Sequence, residues 1–171
     1  MNRPNMAQHS VIVVLAFTFC SGPTLAQQKP LKDQLIGTWE LTSWERTSPD
    51  GTKVKAFGDN PKGVSYFGAD GRFFVFYTHA DLPKLASNDR TKATPQEAKT
   101  LYEGIIAYQG KYTVDDTSKM INMTIENTTF PNQLGIQQKR VIESIRADEL
   151  KYSNPTATAG GKIEQAFKRA K

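Results

Sequence analysis

From residue 35 to the C-terminus the chain repeats one pattern: a short apolar or β-branched run, a tight-turn signal, then another run. The cleanest run is "MINMTIE", where Ile121, Met123 and Ile125 alternate with Asn122, Thr124 and Glu126. Period-two alternation places one set on a buried sheet face and the other in solvent. Pro49-Asp50-Gly51, "GADG" at 68–71, "DDTSK" at 115–119 and "ADE" at 147–149 are the turn signals. Proline presets one turn dihedral and glycine supplies positive φ, so such segments reverse the chain within a few residues. Connections that short join antiparallel neighbours only, since a parallel crossover needs a dozen residues or more. The pattern therefore predicts a mainly β domain, an up-and-down antiparallel sheet. Closing it into a barrel of about eight strands removes its adhesive edges.

Within this frame the first strand is read with Trp39, Leu41 and Ser43 on one face and Glu40, Thr42 and Trp44 on the other. "RFFVFYT" (72–78) is apolar on both faces, which predicts a strand covered on both sides. One helix interrupts the strands, in "TPQEAKTLYEGIIA" (94–107). Thr94 is its N-cap, Pro95 takes the first helical position, and Glu97 completes a capping box. Ala98, Leu101, Tyr102, Ile105 and Ile106 form its apolar stripe, expected to lie on the barrel wall or mouth, with Phe67, Phe74 and Phe76 packing against the helix.

The N-terminal 26 residues read as a signal peptide. Arg3 is followed by the apolar run Val11–Phe19, too short to span a bilayer, and small residues end at Ala26. The expectation is an exported protein, periplasmic or secreted, with no membrane span after cleavage. Residues 27–34 read as a linker or N-terminal cap and 35–171 as the one folded domain. Cleavage removes Cys20, the only cysteine, so neither disulfides nor thiolate chemistry are available. It also removes Arg3, which lowers the formal charge from +5 to +4. The remaining basic residues are scattered among acids, a distribution that excludes a nucleic-acid-binding face. About 145 residues remain, enough to bury one core.

Gly37-Thr38-Trp39 resembles the Gly-x-Trp signature of the first strand in lipocalins and related calycins. The resemblance extends along the chain through "LIGTWELTSWE", "DNPKGVSYFGADGRF", "ATPQEAKTLYEGIIAYQGKYTVD" and "FPNQLG". In that order these segments resemble the bacterial and fungal lipocalin-like domain family. The resemblance implies a calycin-type barrel whose floor is filled by Trp39, with a last-strand arginine packed across it. Ile163, Gln165, Phe167 and Arg169 share a face by alternation, so Arg169 is the candidate. One departure stands at Gln133, where the family pattern has a tryptophan, and it predicts a differently shaped loop over that end.

Candidate chemistry is sparse. His79 and Asp81 in "YTHADLP" could form an acid–base pair, with Tyr77 and Tyr108 as possible partners. After the expected cleavage His79 is the one histidine left and no cysteine remains, which gives no zinc or copper set, so no metal and no cofactor are expected. Tyr66, Tyr77, Tyr108, Tyr112 and Met123 are the candidate lining of an internal ligand cavity, with packing tyrosines as the alternative. Glu103 reads as a solvated helix residue or a buried anchor. Glu126 and Arg140 fall on neighbouring predicted strands and are read as a cross-strand pair. The first functional reading is a module that binds a small apolar or amphipathic molecule. The alternatives are a cofactor-free isomerase or cyclase, and a filled barrel with a structural role. Oligomeric state is not legible.

Overall fold

The computed structural model describes residues 29–158 and 160–171, so the expected signal peptide lies outside the described residues. A short helix α1 (Leu31–Leu35) falls in and beside the segment read as a linker or cap. It is followed by β1 (Gly37–Thr47), β2 (Lys53–Val54), β3 (Lys62–Phe67) and β4 (Arg72–Thr78). Helix α2 (Pro95–Glu103) leads into β5 (Ile105–Asp115), β6 (Met120–Thr128), β7 (Gln137–Ile145), β8 (Glu149–Asn154) and β9 (Lys162–Arg169). Every pairing is antiparallel, and β1 bonds both β3 and β9, which closes the ring. The wall thus has eight strands, β1 and β3 to β9. The two-residue β2 adds only to the far end of β1, opposite Arg46 and Thr47.

Alternation fills the interior. Phe73, Val75 and Tyr77 of β4 and Ile121, Met123 and Ile125 of β6 point inward and share one buried core. The outer residues Phe74 and Phe76 stay 39% exposed, so β4 is covered on one face only. Phe67 turns inward and meets the edge of Tyr112, with ring centroids 5.2 Å apart.

Three register shifts break the alternation, at Leu41/Ser43 in β1, at Glu126 of β6 opposite Gln109/Gly110, and at Ile142/Ser144 in β7. A bulge puts two residues opposite one and flips the parity beyond it. In β1 it reverses the expected order: Trp44 is buried inside and packs on Phe57 at 5.0 Å, while Ser43 is only partly covered. At Gly110 a Cβ would lie 1.9 Å from the Thr124 carbonyl oxygen, so only glycine fits against the neighbouring strand.

The helix is shorter than its pattern predicts. The capping box forms as read, with Thr94 Oγ1 accepting from the Glu97 amide and Glu97 Oε2 accepting from the Thr94 amide at 2.8 Å. The helix stops at Gly104, and Ile105 and Ile106 begin β5, paired with Thr78 and Tyr77. A Cβ at Gly104 would meet Leu82 Cδ1, from the loop before the helix, at 2.7 Å and the Thr100 carbonyl oxygen at 3.0 Å, so the site is tightly packed. The β-branched pair beyond it gains more from ladder bonds than from another helical turn.

One end of the barrel is sealed. Trp39 is fully buried, its Nε1 donates to the Leu35 carbonyl at 2.7 Å, and Leu35 is itself buried. The Arg169 guanidinium stacks 4.0 Å from the Trp39 ring centroid. It donates to the carbonyls of Gln34 (2.7 Å), Ile36 (2.8 Å) and Ala147 (2.5 Å). Gly37 has φ +127°, a conformation that side chains rarely adopt, and a Cβ there would sit 2.8 Å from Arg169 Nη1. The glycine two places before the tryptophan is therefore what lets the arginine cross the floor.

Candidate functional site

The opposite end of the barrel holds a cavity of about 300 Å³. The bulges in β1 and β6 build part of its wall. Beyond the β1 bulge, Trp44 and Arg46 face it, and Tyr77 and Tyr108 arrive from β4 and β5. From β7 come Gln138 and Arg140, while Asn154, Ile163 and Gln165 complete the far side. Its rim carries Tyr102 of α2, Ile105, Ile106, Phe130, Gln133 and Thr158. The surface is mostly apolar and aromatic, with polar groups converging from β7, β8 and β9.

Arg140 is the centre of the polar part. It is 4% exposed and its charge is permanent at ordinary pH. Nη2 donates to the Tyr108 hydroxyl at 3.1 Å and to Gln138 Oε1 at 2.6 Å, and Nη1 donates to the Lys139 carbonyl at 2.9 Å. Its Nε is buried without an acceptor. Burial opposes the charge, but the oxygens of Tyr108 and Tyr152 offset this and hold its pKa above the usual arginine value. The expected pairing with Glu126 does not occur, because Arg140 sits opposite the inward Ile121 and so points into the barrel. Glu126 points outward and pairs with Arg72 (3.3 Å) and Lys111 (3.4 Å).

Beneath the cavity lies a buried trio of hydroxyls. Ser65 Oγ is 2.5 Å from the Tyr77 hydroxyl, Tyr77 is 3.0 Å from Tyr152, and Ser65 is 3.3 Å from Tyr152. Burial pushes the Tyr77 phenol well above its ordinary pKa, with further increments from Tyr152 and Tyr108. Burial likewise pushes Tyr152 up to about 12. Both are neutral hydroxyls across the physiological range, able to donate as well as accept.

The other predicted residues are placed elsewhere. Tyr66 lies on the outer face, 46% exposed, because the inward position in β3 belongs to Ser65. Tyr112 is buried toward the turn end, where its hydroxyl donates to the Gly68 carbonyl at 2.8 Å. Burial, then the charge of Asp70, raises its pKa to about 12. Met123 is fully buried core and is not among the residues lining the cavity. His79 and Asp81 do not line it either. Their contact is the Asp81 backbone amide donating to His79 Nδ1 at 3.1 Å, which leaves no carboxylate–imidazole pair. Glu103 is exposed and faces Lys99 at 3.8 Å. Gln133, at the position that departs from the family pattern, donates to Thr158 Oγ1 at 3.0 Å and ties two rim loops together.

Sequence reasoning did not single out Trp44, Arg46, Arg140 or Gln138 as cavity residues. The usable signal for Arg140 was its parity with Ile142, an apolar residue two places on. Among the described residues no group of three His, Cys, Asp or Glu side chains is placed to hold a metal ion. No helix among them is long and apolar enough to cross a membrane.

Comparison with known proteins agrees with the sequence resemblance. A search of curated proteins finds no match. Among solved structures, a redesigned β-barrel is similar with a TM-score of 0.43 and 16% identity, covering 84% of this chain and 98% of its own. A de novo designed fluorescence-activating β-barrel gives 0.42 and 12%, covering 83% and 99%. The model of the lipocalin-like domain family matches residues 36–170, which spans every strand of the barrel, and the chain belongs to that family.

Proposed function

We propose that this barrel binds a small apolar or amphipathic molecule in the cavity at its open end. One observation carries the reading: the barrel is plugged by Trp39 and Arg169 at one end but hollow at the other, where about 300 Å³ is enclosed by apolar walls with converging polar groups. That volume is at the lower limit of the roughly 300–1,000 Å³ typical of ligand sites. A barrel built only for stability would fill this space, since unfilled volume costs free energy. The test is native mass spectrometry of the protein purified from its host, with uptake of 1-anilinonaphthalene-8-sulfonate as a second readout. A reproducible extra mass that leaves on denaturation supports the reading. A bare polypeptide that also takes up no dye refutes it in favour of a structural role.

The sequence pattern at Arg3, Val11–Phe19 and Ala26 supports export as the setting for this binding. An intact mass that begins at Gln27 is the expected result for exported protein. A cytoplasmic protein retaining Met1 overturns it.

A second reading, cofactor-free isomerisation or cyclisation, draws on the same wall. It is favoured by the Arg140 donor bond to the Tyr108 hydroxyl, which polarises a proton donor beside the cavity. A carrier returns its cargo unaltered, whereas an enzyme returns an isomer of unchanged mass and altered retention time.

A further inference from the structure

The buried arginine at the cavity wall narrows the chemistry of the ligand, and this deepening rests on the binding function proposed above. All three acceptors of Arg140 are neutral: a phenol, an amide side chain and a backbone carbonyl. A guanidinium has five N–H donors, so three bonds leave two N–H groups, one of them on the buried Nε. Arg46 brings a second guanidinium to the same wall, and no aspartate or glutamate lines the cavity. The nearby lysines and acids do not alter this balance. Glu143, Lys162 and Glu164 engage one another, as do Glu45 and Lys53.

A buried charge without a counter-charge is costly, and interiors ordinarily pair or replace it. Here the sequence keeps the charge at the wall of the cavity. Tyr108 and Gln138 fix the guanidinium from one edge, so it is oriented before a ligand arrives. An oriented guanidinium in an acid-free, low-dielectric wall favours a carboxylate over any neutral or cationic group of the same shape. The remaining lining, with Trp44, Ile105, Ile106 and Phe130, suits an apolar or aromatic body. We infer that the physiological ligand is a hydrophobic carboxylic acid, bound as its anion with the carboxylate directed at Arg140 and its ring or chain toward the rim.

Three ligands sharing one body decide the matter: 2-naphthoate, 2-naphthalenemethanol and 2-naphthylmethylamine, titrated calorimetrically into the wild-type protein at neutral pH. The expected order is acid, then alcohol, then amine, with the acid about tenfold or more tighter than the alcohol. Raising the salt concentration should leave this order intact, because a buried pair is poorly screened. Equal affinities for acid and alcohol overturn the carboxylate assignment while leaving the binding function standing. No binding of any of the three, together with no dye uptake, overturns both. In Arg140→Met the acid-to-alcohol ratio should fall close to one, and an undiminished ratio refutes the role of Arg140. Arg140→Lys, which keeps the charge but loses the fork, should retain an intermediate ratio. If Arg140→Met does not fold, the wild-type series with the lysine variant still decides.

Discussion

Replacing Arg169 with methionine removes the lock on the closed end while keeping much of the side-chain volume. The cost can be worked from the contacts. The guanidinium donates to three carbonyls, Gln34, Ile36 and Ala147, and lies 4.0 Å from the Trp39 centroid. Hydrogen bonds to charged groups contribute about 1.5–3 kcal/mol each when isolated. These three share one partly exposed group, and water can replace some of them, so about 2 kcal/mol in all is the appropriate sum. The cation–π contact adds about 1 kcal/mol. A total near 3 kcal/mol should lower the melting temperature by roughly 10 °C for a domain of this size. The assay is urea unfolding followed by circular dichroism, where the midpoint should fall at unchanged slope. Arg169→Lys keeps the charge but loses the planar stack and most of the three-point geometry, so it should recover less than half. Arg146→Ala is the control: its exposed pair with Glu149 at 3.4 Å should contribute under about 0.5 kcal/mol. Ligand affinity should not change, because the floor and the cavity are at opposite ends. A loss below about 1 kcal/mol in Arg169→Met, or full recovery by lysine, refutes the account of the floor.

Other expectations follow from single observations. Gly110→Ala places a methyl where a carbonyl oxygen lies 1.9 Å away, so it should cost more than about 3 kcal/mol or leave the protein insoluble on expression. Ligand titration should quench Trp44, which lines the cavity, and spare Trp39 in the floor, so the quench should vanish in Trp44→Phe. Tyr77, Tyr112 and Tyr152 have folded-state pKa values above the unfolded value near 10, which means the folded state holds their protons more tightly. Their contribution is complete below about pH 10 and is lost as pH rises through the folded values, the fully buried Tyr152 alone accounting for at most about 3 kcal/mol. Urea midpoints should therefore fall between pH 10 and 12 and fall less steeply in Tyr152→Phe. A flat or rising stability over that window contradicts the burial of these phenols.

What could be read from the sequence and what could not are separated by the bulges. The floor was legible through the family resemblance: Gly37 and Trp39 carry its signature, and alternation in the last strand pointed to Arg169 as the arginine that the resemblance implies. The β6 face was legible because Ile121, Met123 and Ile125 keep strict alternation with no bulge between them. The cavity was legible only in part: Tyr77 and Tyr108 were read as lining and do line it, but in β1 a bulge lies between the readable part of the strand and the site. Counting from Trp39 sends Trp44 outward, and only the shift at Leu41/Ser43 sends it in. The break at Ile142/Ser144 blurs which face of β7 is the core face, and Arg140 was read as a cross-strand partner of Glu126 rather than as an inward residue. A bulge needs no sequence marker beyond a local tolerance for twist. It nonetheless has a physical consequence here: it carries residues that hydrophobicity would place outside into the barrel at the open end. In β1 the geometric device that hides the site from the sequence is therefore the one that brings Trp44 and the Arg46 guanidinium to the cavity wall; an unbroken alternation there would point both outward and turn Ser43 and Glu45 inward instead.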